Sequence, residues 1–327
     1  MTYPTYATYP PYPTYMTRRS AEAFALRVGP TQPTRPTRPT RPTRPTRPTR
    51  PTRPTRLRVT LRPLPKLSVT VITRNEAADI GAALASVAWS DEIVVVDSQS
   101  TDETVAIARR HTERVVVREW PGYIGQKNYA ASIASHDWIL SLDADERVTP
   151  ALAEEIKTLL AGAPREAAFR IPRITWHLGR WIRTTDWYPD YQLRLYDRRS
   201  AQWTGRYVHE AVTVRGATGQ LRGELQHYAY RDLADHLETI DRYTTYAARQ
   251  MHEDGRHAGP LQMAGHAPLA FLRNYLAHGG IRDGVPGFVI SAMNAYYVFL
   301  KFAKLWEIER TINSQGSRLN AHSGRET

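Results

Sequence analysis

The sequence predicts an α/β protein built as a three-layer α/β/α sandwich, in which helices cover both faces of a mostly parallel sheet. Two observations lead to this fold class. From residue 67 onward, short runs rich in β-branched residues alternate with segments whose apolar residues recur at helical spacing. The short runs are also almost continuously apolar, as is typical of parallel strands that are buried on both faces.

The parallel strands occupy the first half of the folded body. Four strands are predicted at 67–73, 91–98, 114–119 and 138–146, and four helices at 76–87, 101–110, 122–135 and 150–163. Asn75 is the expected N-cap of the first helix, and Thr101 or Asp102 that of the second, because such side chains accept hydrogen bonds from the free amides of a first turn. This alternation favours a parallel sheet, since each helix returns the chain to the start of the next strand.

The pattern changes after residue 163. Segments rich in Arg and aromatic residues are predicted as antiparallel or edge strands at 168–182, 192–199, 203–214 and 220–230. A helix is predicted at 231–252, and beyond Pro268 two more helical segments flank a Gly- and Pro-containing break at 278–287. The uncharged stretch 288–300 is expected to be an interfacial or packed helix, because the uncharged run from Gly284 is only 17 residues long, too short for a typical membrane span.

The chain is predicted to divide into a low-complexity tail at 1–66, a folded domain at 67–230, a helical extension at 231–312 and a flexible tail at 313–327. The N-terminal tail joins Thr-Tyr-Pro repeats to eight Pro-Thr-Arg repeats. The prolines of these repeats lack the backbone N–H donors that a helix or sheet needs. It carries 14 Lys/Arg and one Glu, which leaves 30 basic and 31 acidic residues in 67–327. No nucleic-acid partner is therefore expected of the folded body, and the tail is either an electrostatic tether or a repeat expansion without a role.

Several kinds of chemistry have no support in the sequence. The absence of Cys excludes disulfides and thiolate metal sites and fits a cytoplasmic location. The stretch Gly122 to Lys127 lacks the Gly-Lys-Ser/Thr end of a P-loop, and no G-x-G-x-x-G motif follows the first strand. The pair His209-Glu210 lacks the second His of a zinc protease, and no G-x-S-x-G motif of a serine hydrolase is present.

Polar side chains gather where the predicted strands end. In an open parallel sheet, ligands bind beyond the carboxyl ends of the strands. This rule selects a set of residues from the first, second and fourth strand ends and from the first turns of the third helix: Thr73, Asn75, Glu76, Asp97, Ser98, Asp102, Asp143, Asp145 and Lys127.

The two aspartates after the fourth strand can reach one hard cation. Mg²⁺ or Mn²⁺ prefers oxygen ligands, so Asp143 or Asp145 together with a nucleotide diphosphate would make a sensible coordination set. Asp97 is placed to hydrogen-bond a nucleobase or ribose, with Lys127 near the phosphates. Taken alone, an Asp-x-Asp pair is more often a solvated turn or a helix cap.

Several stretches in series resemble a known family. The segments SVTVITRNEAADI, EIVVVDSQSTDETVAIA, GYIGQKNYA and WILSLDADERV resemble the nucleotide-sugar half of a family 2 glycosyltransferase with the Rossmann-like GT-A fold. Further on, WYPDYQLRLYDRR, YVHEAV and LQHYAYRD resemble the bacterial subgroup that includes lipopolysaccharide-core β-1,4-glucosyltransferases. The resemblance covers about residues 67–310 and implies a nucleotide-sugar half at 67–148 and an acceptor half at 149–230.

The resemblance implies an activity and roles for the selected residues. The activity would be metal-dependent, inverting transfer from a nucleotide-diphospho-sugar, such as a UDP-hexose, to a saccharide or lipid-linked acceptor. It implies that Thr73, Asn75 and Glu76 contact the nucleotide and that Asp97 contacts the uracil or the ribose. Ser98 and Asp102 would support that loop, and Lys127 would lie near the nucleotide. Asp145, with Asp143, would hold a Mn²⁺ or Mg²⁺ ion. His227 would complete the metal or phosphate site, or be a core histidine satisfied by hydrogen bonds.

Inversion needs a base that takes the proton of the acceptor hydroxyl from the side opposite the diphosphate. Two carboxylates are candidates. Glu210, in the stretch VHE, is favoured because it matches the acidic acceptor-side position of the resemblance. Asp190, in the stretch WYPD, is the rival and lies among aromatic residues that could stack on a sugar. The alternative for either is a structural carboxylate paired with an arginine such as Arg194 or Arg206.

Other functions remain open at this point. A sugar-phosphate nucleotidyltransferase shares the α/β core but carries a Gly-rich loop after its first strand, which TRNEAADIG is not. A membrane- or nucleic-acid-binding scaffold would depend on the Arg-rich tail rather than on carboxylates. The resemblance implies an enzyme at the inner face of the cytoplasmic membrane, which would give 288–300 a membrane-surface role; the alternative is that this helix closes the core.

Overall fold

The computed structural model describes residues 64–205 and 210–323, with side chains through residue 311, so the predicted tail falls outside it up to residue 63. The strands are β1 (Leu67–Thr73), β2 (Glu92–Asp97), β3 (Val115–Val117), β4 (Trp138–Asp143), β5 (Glu146–Val148), β6 (Ala168–His177), β7 (Arg180–Ile182), β8 (Asp190–Asp197), β9 (Ala201–Thr204), β10 (Ala211–Val214), β11 (Thr218–Gln220) and β12 (Leu225–His227). The α-helices are α1 (Ile80–Ala85), α2 (Thr104–Ala108), α3 (Tyr123–Ile133), α4 (Pro150–Ala161), α5 (Leu233–Glu253), α6 (Pro260–Leu272) and α7 (Gly284–Ser323). Short 3₁₀ helices lie at Thr185–Trp187 and Gly280–Asp283, and a π-helix at Arg273–Ala277.

Four parallel strands, in the order β3, β2, β1, β4, form one half of the main sheet. Their register aligns the strand ends, because Thr73 pairs with Asp97 and Ile72 pairs with Asp143. The carboxyl ends of three neighbouring strands therefore present their polar residues at one edge, as the alternation of strands and helices predicted.

The second half of the sheet is mixed. β8 pairs antiparallel with β4, and the sheet continues through β6, β12 and β5. β12 lies between β6 and β5, so His227 pairs with Thr175 on one side and Glu146 on the other. This arrangement brings residues more than 80 positions apart to the end of β4. β9 and β10 form a separate two-stranded sheet.

The three-layer α/β arrangement is confirmed. One face of the sheet packs against α1, α2 and α4 through fully buried residues such as Leu84, Leu140 and Ile156. The other face packs against α3 and the β9–β10 sheet, with Ile139 and Tyr196 at its centre. Burying each large aliphatic side chain contributes about 1.5–3 kcal/mol, so these two layers of contacts hold the sheet in place.

Three local predictions were wrong. Asn75 does not cap the first helix: its φ is +52°, and α1 begins five residues later, at Ile80. Helix α2 begins at Thr104, after Glu103 rather than Thr101 or Asp102. The run 138–146 is not one strand, since β4 ends at Asp143 and Glu146 opens a strand that pairs antiparallel with β12. The Asn75 side chain bonds to the loop after β2, and the Asp102 side chain accepts from the amide of Thr104 at the start of α2 and from Ala77 in the loop after β1.

The C-terminal helices also differ from their predicted bounds. α6 begins at Pro260, and Pro268 lies inside it rather than before it. α7 runs from Gly284 to Ser323, so it takes in both 288–300 and much of the segment expected to be flexible. The stretch Gly280–Thr311 is long and apolar enough to cross a membrane by length and composition alone, and 28% of its most apolar part is buried inside the protein.

Candidate active site

The loops after β1 and β2 are tied to each other by hydrogen bonds. Asp97 is fully buried, and its carboxylate accepts from the amide and the hydroxyl of Ser100. The Ser100 hydroxyl accepts from the amide of Asn75 at 2.8 Å, and the Asn75 side-chain oxygen accepts from the amide of Thr101 at 2.8 Å. This lattice fixes the two loops without using a helix cap.

The other residues predicted to contact the nucleotide lie beside this lattice. Asp102 accepts from the amide of Ala77, and Ser98 accepts from the buried side chain of Gln126 at 3.0 Å. Thr73 is buried, and its hydroxyl has no hydrogen-bond partner among the described residues. Burial, followed by the neighbouring carboxylates of Asp145, Asp79 and Asp102, raises the pKa of Glu76 to about 8.

Asp143, at the end of β4, is held by two cations. Its carboxylate pairs with Arg194 of β8 and lies 3.2 Å from the Lys127 ammonium of α3. Burial alone would raise the pKa of Asp143, but Arg194 and then Lys127 and Arg173 outweigh it and hold that pKa below its usual range. Asp143 therefore stays ionised and is committed to these partners.

Asp145, two residues on, is in the opposite situation. One of its oxygens, Oδ2, lies 3.3 Å from Nε2 of His227, while the other, Oδ1, is buried and has no hydrogen-bond partner among the described residues. A contact of 3.3 Å between Nδ1 of His227 and the Thr175 hydroxyl holds the ring in this orientation. Burial raises the pKa of Asp145, and although His227 opposes this, the net shift is upward.

Two arginines of the second half of the sheet complete the buried cluster. Glu146 is fully buried and accepts from Arg194 at 2.8 Å and from Arg173 at 3.1 Å. Arg173 also holds Asp190 at 2.8 Å, and the second oxygen of Asp190 accepts from Gln192. Both oxygens of Asp190 are thus engaged by protein groups.

Glu210, the residue immediately before β10, faces the same cluster. Its Oε1 lies 3.1 Å from the Lys127 ammonium, which also sits 4.3 Å above the Trp203 ring. Its Oε2 is buried without a hydrogen-bond partner in the described part of the chain. Of the two candidate bases, Glu210 keeps a free oxygen and Asp190 does not.

The cluster carries more negative than positive charge. Among residues 64–205 and 210–311, five carboxylates (Asp143, Asp145, Glu146, Asp190 and Glu210) meet three cations (Lys127, Arg173 and Arg194). Uncompensated buried charge is costly, and the excess here is concentrated where Asp145 and Glu210 have unpartnered oxygens. Such a site favours a ligand that brings positive charge.

The residues present fit a divalent cation. Within the described residues no group of three or more His, Asp or Glu side chains is arranged around a single metal position. Among the described residues, Asp145 and His227 each have an unpartnered buried atom with which they could hold an ion. Asp143 remains a predicted ligand, although its two cationic partners occupy it in this structure.

Sequence reasoning missed some members of the cluster. Arg194 was named only as a possible partner of Glu210 or Asp190, whereas it pairs with Asp143 and Glu146. Arg173 was seen only as a member of an Arg-rich region, and Gln126 and Trp203 were not singled out. A signal was present for Arg173, because it shares the strand parity of Ile171 and Thr175 and so should point to a buried side. The partners of these arginines depend on the pairing of β6 with β8 and β12, which the sequence does not specify.

Comparison with known proteins places the chain in a family. Residues 68–221 match the family model described as Glycosyl transferase family 2. The chain is 32% identical over 253 residues to the lipopolysaccharide core biosynthesis glycosyltransferase LpsC of Rhizobium meliloti, an alignment that covers 75% of this chain and 94% of the relative. The chain belongs to glycosyltransferase family 2. It is a glycosyltransferase, which sets aside the nucleotidyltransferase and the scaffold.

Two further proteins are similar to this glycosyltransferase. An uncharacterized glycosyltransferase of Rickettsia felis is 31% identical over 258 residues, covering 75% of this chain and 90% of the relative. A mannosyltransferase of Pyrobaculum calidifontis, solved with GDP-Man and Mn²⁺, aligns with a TM-score of 0.45 at 16% identity, over 74% of this chain and 88% of the other.

Proposed function

We propose that this glycosyltransferase transfers a hexose, with inversion, from a UDP-linked donor to a saccharide or lipid-linked acceptor of the bacterial cell envelope, with help from a divalent cation. The observation that carries the proposal is the excess of buried carboxylates, with free oxygens at Asp145 and Glu210. The envelope setting is supported by the named role of LpsC in lipopolysaccharide core biosynthesis.

On the donor side, the loops after β1 and β2 would bind the nucleotide. They are already held in place by the bonds among Asp97, Ser100 and Asn75, so little backbone ordering is needed when a nucleotide binds. Asp145 and His227 would hold Mn²⁺ or Mg²⁺, which when bound would neutralise charge on the departing diphosphate. Lys127, held between Asp143 and Glu210, adds a further positive charge close by.

On the acceptor side, Glu210 would act as the base. Its Oε2 is free to accept the acceptor's hydroxyl proton, while Oε1 stays fixed by Lys127. Asp190 is better suited to a positioning role, because Arg173 and Gln192 already use both of its oxygens. The base would thus come from the residue before β10, whereas the cation ligands would come from the end of β4 and from β12.

The proposal is tested by measuring the release of the nucleoside diphosphate from a panel of nucleotide sugars, with and without Mn²⁺ or Mg²⁺, using membrane extracts as the source of acceptor. The expected result is metal-dependent release from UDP-hexoses. GDP-linked donors serve as the control for the nucleotide. Turnover that is unchanged after exhaustive chelation, or that occurs only with a non-UDP donor, would contradict the metal or the donor part of the proposal.

A further inference from the structure

The helices α6 and α7 carry an apolar surface that the folded protein leaves uncovered. None of the residues of α6 is buried. Leu269, Leu272 and Leu276 are spaced by three and four positions, which places them on one face, and they are 63%, 50% and 57% exposed. A side chain on Gly265, on the same face, would meet nothing within 4 Å. Isolated exposed leucines are ordinary, but a continuous row of them is not.

The row continues onto the next elements. Val285 at the start of α7 is 76% exposed and Phe288 is 50% exposed. The Phe288 ring contacts the rings of Phe271 and Tyr275, with centroids 5.6 and 5.8 Å apart, so the two helices share one surface. We call this surface the apolar ridge, defined by Leu269, Leu272, Leu276, Val285 and Phe288.

Basic residues outnumber acidic residues around the apolar ridge. Residues 255–306 contain five Lys/Arg and a single acidic residue, Asp283. Asp283 is buried and accepts from Thr184 and Arg180, so it presents no negative charge at the surface. Arg273 and Arg282 are exposed next to the ridge, and Arg273 also pairs with the largely buried carboxylate of Asp186. A second copy of this surface would bring like charges together, whereas an anionic surface would neutralise them.

We propose that the apolar ridge docks this protein onto the surface of an anionic lipid bilayer, with the leucines entering the headgroup region and the arginines contacting phosphate groups. Apolar side chains combined with nearby Arg suit such an interface better than either feature alone. This proposal is independent of the donor and the metal.

The geometry favours docking along the surface over crossing the bilayer. Helix α6 has 13 residues. At about 1.5 Å per residue it is roughly 20 Å long, which is shorter than the hydrocarbon layer. One side of α7 packs on the protein, where Phe302 and Leu305 contact Ala248 and Met251 of α5. Ser291, Asn294 and Lys301 are also buried on that side.

The apolar ridge is firmly attached to the catalytic domain. Asp186, between β7 and β8, pairs with Arg273 at 3.0 Å, and its amide donates to the buried side chain of Asn274 at 2.7 Å. Asp283 accepts from the Thr184 hydroxyl in the same connection. This connection leads directly into Asp190 at the start of β8, so docking would fix the orientation of the acceptor side of the site toward the bilayer.

The test is sedimentation of the full-length protein with vesicles of phosphatidylcholine alone or with about one-quarter phosphatidylglycerol, at an ionic strength near 0.15 M. The ridge variant is Leu269→Glu/Leu272→Glu/Leu276→Glu. The matched control, Val117→Glu/Leu233→Glu/Leu237→Glu, makes the same charge change at residues that are 47%, 39% and 43% exposed. Both variants keep the basic N-terminal tail, so its contribution is constant.

We expect wild type and control to bind the anionic vesicles, and the ridge variant to bind them at least about tenfold more weakly, because three leucines no longer enter the apolar layer. Equal binding by the ridge variant and the control would overturn the proposal. So would wild-type binding that is equally tight on neutral vesicles. Light scattering that shows a wild-type dimer and a monomeric ridge variant, with vesicle binding unchanged, would assign the ridge to a second copy. Retention in bacterial membranes after alkaline carbonate washing would show a spanning helix instead.

Discussion

The two sides of the candidate active site are held together by different interactions. On the parallel side, short-range hydrogen bonds such as those between Asp97 and Ser100 fix the loops. On the mixed side, buried ion pairs join distant elements, as where Arg194 of β8 meets Asp143 of β4. The hydrogen bonds of the parallel side leave few polar groups unpartnered and available for catalysis. The buried ion pairs of the mixed side leave more carboxylates than cations, and these surplus carboxylates are the groups proposed to bind the cation and act as the base.

The largest effect is expected from Asp145→Asn. Removing the carboxylate would lower kcat/KM by at least about 10³-fold, because the cation would lose its charged ligand. Stability should not fall, since this carboxylate is buried with one unpartnered oxygen and an amide of the same shape carries no charge. Turnover assays and thermal unfolding of the same preparation check both parts. An unfolded variant would contradict the second part, and near-normal turnover the first.

The next comparison separates the two candidate bases. Glu210→Gln should lower kcat by about 10²–10⁴-fold with little change in KM for the donor, because only proton removal is lost. Asp190→Asn should lose stability as well as rate, since Arg173 would face a neutral partner. Rate measurements beside urea unfolding distinguish them. A larger rate loss in Asp190→Asn, with the fold intact, would exchange the two roles.

Stability tests the contrast between the two sides directly. Arg194→Met leaves Asp143 and Glu146 with one cation fewer and should cost about 3 kcal/mol of unfolding free energy. Ser100→Ala removes one hydroxyl donor from Asp97 and should cost about 1–2 kcal/mol. Equilibrium unfolding in urea measures both. Equal costs would mean that the two sides are held with similar strength after all.

A smaller effect is expected from pH. Burial and nearby carboxylates raise the pKa of Glu76 in the folded state to about 8, from its ordinary value of 4.5. The folded state therefore binds more protons than the unfolded state between these two pH values. The contribution of Glu76 to stability is complete below about pH 4.5 and is lost as pH rises through 8. Wild type should lose about 2–3 kcal/mol more than Glu76→Gln between pH 6 and 9. Parallel pH profiles would contradict this.

The parallel half of the fold was largely predictable because its pattern is local. β1 has its predicted bounds, and β2 and α3 differ from theirs by one or two residues at each end. The errors fall on polar residues such as Asn75, whose side chain could cap a helix or bind a loop with similar ease. Only the packed structure decides between those uses, because the competing partner, Thr101, lies on the next strand's loop.

The site residues were predictable as a set but not in their pairing. Strand ends selected Asp143 and Asp145 together, yet the structure gives one of them two cationic partners and leaves the other with a free oxygen. That difference arises from β8 and β12, which come from 50 to 80 residues later in the chain and carry Arg194 and His227. Long-range strand pairing of this kind has no local sequence signal.

The central claim is that Asp145 holds a cation at which the diphosphate of the donor binds. Calorimetric titration of UDP into wild type and Asp145→Asn, each with Mn²⁺ and with a chelator, tests it most directly. We expect Mn²⁺ to tighten UDP binding by at least about tenfold in wild type and to have no such effect in the variant. The same tightening by Mn²⁺ in both proteins would contradict the claim.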